Sequence, residues 1–190
     1  RLVVAILEKA HQLQIPTVSM ITNGAWGKSK EAPERLAVKL KNAGLTTVDI
    51  SVDAFHQQHI PLQLPRNAAA GQLRAGVEEV VWNVAVVESL KAANEYDEKT
   101  ARILKELEPV GIETHTVKIV PIGRALQNLR RYFDPSSLTE PCDMAPITGN
   151  TLTNPKSVCI EPSGSANTCW NLTVGNAKIT LLRRLIAEYD

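Results

Sequence analysis

The sequence predicts an α/β fold on a parallel sheet, and three features predict it. Apolar runs with strand period alternate with amphipathic runs of helical period along the first two thirds of the chain. The crossovers between strands run to roughly 15–25 residues, the length of a βαβ unit and far too long for a hairpin. The middle strands are apolar on both faces, as a sheet covered by helices requires. Such a sheet is barrel-like or doubly wound.

The elements follow in order. Residues 1–14 form a helix in which Leu2, Ile6, Ala10 and Leu13 share a face. Ile15 and Pro16 lead into TVSMITNG (17–24), a strand closed by a turn. A polar segment with Gly27 and Lys28 precedes a helix from about Glu31 to Ala43, with Gly44 past its end as C-cap. A strand spans 46–52. Pro61, Pro65 and the run AAAG (68–71) mark a loop and a short helix, and VEEVVWNVAVV supplies a strand over 79–87. A Glu- and Lys-rich helix covers 95–108, stopped by Pro109 and Gly111. IETHTVKIVPIG (112–123) is a strand that turns at Pro121-Ile122-Gly123, and residues 123–133 form a short helix.

Beyond Pro135 the composition becomes turn-rich. KSVCIEPSGSANTCWN (156–171) has the form of a hairpin around Pro-Ser-Gly-Ser, and a helix is expected over 177–190. Two domains are therefore expected, 1–134 and 135–190.

Composition narrows the function. The 190 residues are 44% hydrophobic and 22% charged, with a net charge of +1. That balance gives no electrostatic footprint for nucleic acid or an anionic membrane surface. No apolar run approaches the ~18–20 residues of a membrane span, and no signal peptide is present, so a cytoplasmic location is expected. The chain opens on Arg1 with a helix already in progress. The expectation is a chain that lacks its N-terminal part.

Candidate chemistry lies at the carboxyl ends of the strands, where ligands sit in parallel sheets. In VDISVDAFHQQH (48–59), alternating Val48, Ile50 and Val52 bring Ser51 and Asp53 to the end of a strand. The first strand ends in Thr22-Asn23-Gly24, the third carries Asn83 and ends near Glu88-Ser89, and the fourth ends at Pro121 to Arg124. Hydroxyl, amide and carboxylate groups on one rim suit a ribose or amino-acid ligand. Taken singly, each is also an ordinary turn residue.

Cys142, Cys159 and Cys169 all fall in the last third, and thiolates hold zinc or iron–sulfur clusters. Cys159 and Cys169 stand at matching ends of the expected hairpin, with Asp143 next to Cys142 and His115 far off in sequence. Buried free thiols are the plain alternative, and the expected compartment disfavours a disulfide. His56 and His59 are spaced to share a metal on one helical turn, or are solvated loop residues. His11 and His115 are ordinary, and Trp26, Trp82 and Trp170 are packing residues. No phosphate-binding glycine loop and no Gly-x-Ser-x-Gly elbow occurs.

Five segments together carry a resemblance. MITNGAW (20–26), KNAGL (41–45), VDISVDAFHQ (48–57), VPIGRAL (120–126) and VCIEPSGSANTCWNLTVGNA (158–177) follow the order and spacing of the radical S-adenosylmethionine superfamily. The chain is similar to that family over residues 1–178. The resemblance implies a partial (β/α)6, TIM-like barrel lacking its first two strands, followed by a SPASM- or twitch-like extension with a small hairpin and a helix. It implies that Ser51, Asp53 and Asn83 contact S-adenosylmethionine, that backbone around Val120 and Ile122 meets the adenine, and that Thr22 and Asn23 line the rim.

In the intact family member a 4Fe-4S cluster, fed by an electron donor, reductively cleaves the cofactor to a 5′-deoxyadenosyl radical that abstracts hydrogen from a small-molecule or peptide substrate. The CxxxCxxC loop that binds this cluster, and the Gly-Gly-Glu strand, belong upstream of Arg1, so this stretch alone is expected to be inactive. Cys142, Cys159 and Cys169 would hold an auxiliary cluster or zinc, or the extension is cluster-free. Two rival readings stand beside it. One is a non-catalytic metal- or partner-binding module on a partial barrel. The other is a cluster-free α/β enzyme with Asp53 or His56 as acid/base.

Overall fold

The computed structural model describes residues 2–29, 31–133, 157–169, 172–180 and 184, and the chain forms two compact units, Arg1–Asp134 and Pro135–Asp190. In the first unit strands and helices alternate: α1 (Leu2–Gln12), β1 (Ser19–Thr22), α2 (Glu31–Asn42), β2 (Thr47–Ser51), α3 (Gln63–Arg74), β3 (Glu79–Val86), α4 (Glu95–Leu107), β4 (Glu113–Lys118) and α5 (Gly123–Asn128).

The four strands are parallel and lie in sequence order, β1-β2-β3-β4. Right-handed crossovers that all step the same way put their helices on one side of the sheet. The core bears this out: Val48, Ile50, Val80, Trp82 and Val84 are buried against Leu7 of α1, Leu40 of α2, Ala68 and Ala69 of α3, and Ile103 and Leu107 of α4. A doubly wound sheet needs a reversal of strand order. Among the described strands there is none.

The helices form where composition allows. Glu31 and Glu34 in the first turn of α2, and Lys39 and Lys41 in its last, complement the helix dipole. Gly44 ends α2 at φ +110, where a Cβ would meet His11 of α1 at 2.9 Å. Helix α3 is twelve residues long rather than short. Pro65 lies in its first turn, where an absent N–H costs no helical bond, so this proline does not break the helix.

The second unit contains the expected hairpin and adds a third strand to it. Three antiparallel strands, β5 (Cys159–Ile160), β6 (Ser165–Cys169) and β7 (Leu172–Asn176), form a sheet in that order. Leu172, Thr173 and Val174 have strand-forming side chains, and a partner was available in β6. The turn between β5 and β6 is held by Gly164 N–H on Glu161 O (2.8 Å), and Asn167 Nδ2 donates to Glu161 Oε1 (3.0 Å). Cys159 pairs in register with Asn167, and Cys169 with Leu172, so the two cysteines are not opposite one another. Of the helix expected over 177–190, residues 181–183 and 185–190 lie outside the described residues, and 177–179 are a turn. No described helix is long and apolar enough to cross a membrane.

Candidate functional site

Strand alternation sorts the sheet's side chains between two faces. The face without helices carries Ile21, Asp49, Val81 and Glu113 in one row, and Ser51, Asn83 and His115 in the next, each aligned by strand register. Ile21 is 67% exposed and Val117, further along the same face, 47%. Ser51 ends β2 beside Asn83 of β3. Among the described residues neither the Ser51 hydroxyl nor the Asn83 amide has a hydrogen-bond partner, and neither side chain has a polar atom sealed from solvent. These are two adjacent, uncommitted polar groups near the carboxyl end of a parallel sheet.

The turn that follows β2 is built on Asp53. Its carboxylate is buried. Oδ1 accepts from the backbone N–H groups of Phe55 and His56, each at 2.9 Å, and Oδ2 accepts from Ala85 N–H at 3.1 Å. His56 Nδ1 lies 2.9 Å from both oxygens. Burial pushes the Asp53 carboxyl up, but the hydrogen bonds and charge of His56, with the Ala85 N–H, outweigh it and hold the group below its ordinary 3.8. The same bond to Asp53 raises His56 above its ordinary 6.5 against the opposing effect of burial. The His56 side chain is 38% exposed.

The Asp53 carboxylate, expected to meet a ligand, is buried here and both of its oxygens accept hydrogen bonds from within the chain. The spacing of His56 and His59 also proves secondary, because His56 turns its Nδ1 to Asp53.

A second buried carboxylate, Asp97 in the first turn of α4, shapes the end of β3. Oδ1 accepts from Val87 N–H (2.8 Å), and Oδ2 from Glu88 N–H (2.9 Å), Ser89 N–H (3.0 Å) and Asn94 Nδ2 (2.8 Å). Asn94 caps the helix in return, accepting from Asp97 N–H at 2.9 Å. Burial raises the Asp97 carboxyl, and these donors more than reverse it, leaving it below its ordinary value. Thr100, one turn on, accepts the Ala54 N–H at 3.0 Å. Helix α4 thus fixes the turns after both β2 and β3. Sequence reasoning missed Asp97 and Thr100. The Asn94-Glu-Tyr-Asp97 spacing of a reciprocal cap was the available signal for the first, and a buried mid-helix threonine gives none.

The other rim residues are partly spent. Thr22 Oγ1 accepts from Gly24 N–H (3.3 Å) and Trp26 Nε1–H (3.1 Å), and Asn23 Oδ1 accepts from Ala25 N–H (3.1 Å). Both build the turn after β1. Val120 and Ile122 lie beyond β4, where the Val120 carbonyl accepts the Ile122 N–H at 2.8 Å and the Ile122 side chain is exposed. An aromatic wall stands near the same end: Phe55 stacks on Tyr96 at 4.8 Å, and Tyr132 meets Tyr96 edge-on at 5.9 Å. Arg131 lies over Tyr132 and bonds Glu95.

Cys159 is a free, exposed thiol. Cys142, and the side chain of Cys169, lie outside the described residues. Among the described residues no group of three or more His, Cys, Asp or Glu side chains is placed to hold a metal.

A cavity of about 910 Å³ lies between α2 and α3, lined by Glu34, Arg35, Arg66 and Arg74, and one of about 420 Å³ lies beside α4 and β4. Neither includes Ser51, Asn83 or His56. In the larger, Glu34 and Arg74 pair at 2.7 Å and Arg66 donates to the Glu106 carbonyl. Volume favours that cleft, but uncommitted polar groups favour the strand ends, and specificity comes from such groups.

No protein-family model and no curated protein matches the chain.

Proposed function

We propose that this chain is part of a radical S-adenosylmethionine enzyme, its four-stranded sheet a segment of a partial (β/α)6 barrel. The observation that carries the reading is the Ser51–Asn83 pair: a hydroxyl and an amide, side by side and unpartnered within the described chain, on the helix-free face near the strand carboxyl ends. Sequential strand order with helices on one side is also how a barrel segment is built.

Ser51 and Asn83 suit the ribose hydroxyls or the methionine carboxylate of S-adenosylmethionine, which accept and donate hydrogen bonds. Asp53 and Asp97 act behind them, locking the turns at 53–56 and 87–89 so that the site does not have to organise itself on binding. When reductively cleaved, the cofactor supplies a radical for hydrogen abstraction from substrate. Among the described residues no group of side chains is placed to hold an iron–sulfur cluster, and the part read here for Ser51 and Asn83 is binding and orientation.

Titration calorimetry of S-adenosylmethionine on the natural full-length protein tests the reading. Ser51→Ala and Asn83→Ala each remove a hydrogen bond worth about 1 kcal/mol, and each should weaken binding roughly fivefold. Unchanged affinity in both would remove the site assignment. A coding sequence with neither CxxxCxxC nor Gly-Gly-Glu ahead of Arg1 would overturn the enzyme reading in favour of a binding module.

A further inference from the structure

Asp53 has more donors than a capped turn needs. The backbone N–H groups of Phe55, His56 and Ala85 already serve both of its oxygens. The imidazole of His56 is added to these, with Nδ1 at 2.9 Å from each oxygen. Its other nitrogen, Nε2, makes no hydrogen bond to a described residue and is not sealed from solvent. A histidine held at Nδ1 by a buried carboxylate keeps its proton there and presents the Nε2 lone pair outward. Its location matches a site: one carboxylate joins His56 to Ala85, two residues past Asn83 on the same face of β3.

We propose that His56 is a proton-transfer residue of the strand-end site, with Asp53 as its positioning residue, accepting at Nε2 a proton from a hydroxyl or ammonium group of a ligand lying on the Ser51–Asn83 face. The ligand's O–H or N–H bond breaks and its electron pair stays on the ligand. An Nε2–H bond forms, the imidazolium faces the Asp53 carboxylate, and the proton leaves Nε2 for solvent while Nδ1 keeps its own. Asp53 is the charged group that meets His56, its Oδ2 lying 2.9 Å from Nδ1. The inference rests on the site proposed above but not on its cofactor.

Diethylpyrocarbonate, which acylates a neutral imidazole nitrogen, tests it without any ligand. The four histidines His11, His56, His59 and His115 can be followed separately by peptide mass spectrometry. The His115 side chain is 52% exposed against 38% for His56, so accessibility alone would make His115 the faster. The expected result at about pH 8.5, where an ordinary imidazole is neutral, is His56 reacting severalfold faster than His115, with a pH midpoint for His56 above its ordinary 6.5. Asp53→Asn should lower that midpoint and bring the rate to the His115 level. Should that variant fail to fold, long-range ¹H–¹⁵N spectra of the wild type decide: Nδ1 protonated and Nε2 bare supports the proposal. His56 no faster than His115, or the proton on Nε2, overturns it. S-adenosylmethionine binding is read independently, so failure of the dyad and failure of the cofactor reading are distinguishable.

Discussion

Asp53 and Asp97 solve the same problem at neighbouring strand ends. Each is a buried carboxylate that accepts backbone N–H groups that would otherwise be left unpaired, from the turn it closes and, for Asp53, also from Ala85 of β3. Asp97→Ala removes the acceptor for Val87, Glu88 and Ser89 at once, and should cost at least about 2 kcal/mol in urea unfolding. Asp97→Asn, which keeps one acceptor, should cost less. The Asp53–His56 pair gives a signed pH dependence. Asp53 is lowered in the folded state, so its contribution is present above its ordinary 3.8 and is lost as pH falls below that value. His56 is raised, so its contribution is complete below 6.5 and is lost as pH rises through its folded value. Stability should therefore decline on both sides of that window, and His56→Gln should abolish the alkaline decline. An alkaline decline that survives the substitution would assign it to another group. Ser51 was legible in the sequence because alternation puts it at the end of β2, and Asn83 because it is an amide within the otherwise apolar run of β3. The commitment of Asp53 was not, since it depends on Ala85, 32 residues away and on another strand.

The elements were legible wherever a period ran long enough. Helices α2 and α4 and strands β2 and β3 fall within a residue or two of the sequence reading. Helix α3 did not, because its buried residues are alanine, glycine and glutamine rather than large apolar residues, and prolines at 61 and 65 resemble a loop. Strand β7 was missed because five residues ending in Gly-Asn resemble a turn until a neighbouring strand supplies hydrogen bonds. Packing of the helix layer should be sensitive at α4. Leu107 is buried in the core shared with Trp82, and Leu107→Ala should lower stability by about 2–5 kcal/mol. A loss under about 1 kcal/mol would mean that α4 contributes little to the fold and cannot be what fixes the turns at 53–56 and 87–89.

At the scale of the molecule, the alternation of strand and helix periods gave the α/β class and strand order gave one-sidedness, two facts that together leave one face of the sheet for something other than helices. That the face carries Ser51, Asn83 and His115 in a row follows from register, which no single-sequence pattern specifies across a parallel sheet. Hydrogen exchange of the natural full-length protein with and without S-adenosylmethionine tests the central claim most directly. Protection at residues 51–57 and 83–89, with none in the α2–α3 cleft, is the expected result. Protection confined to that cleft, or no change anywhere, would contradict it.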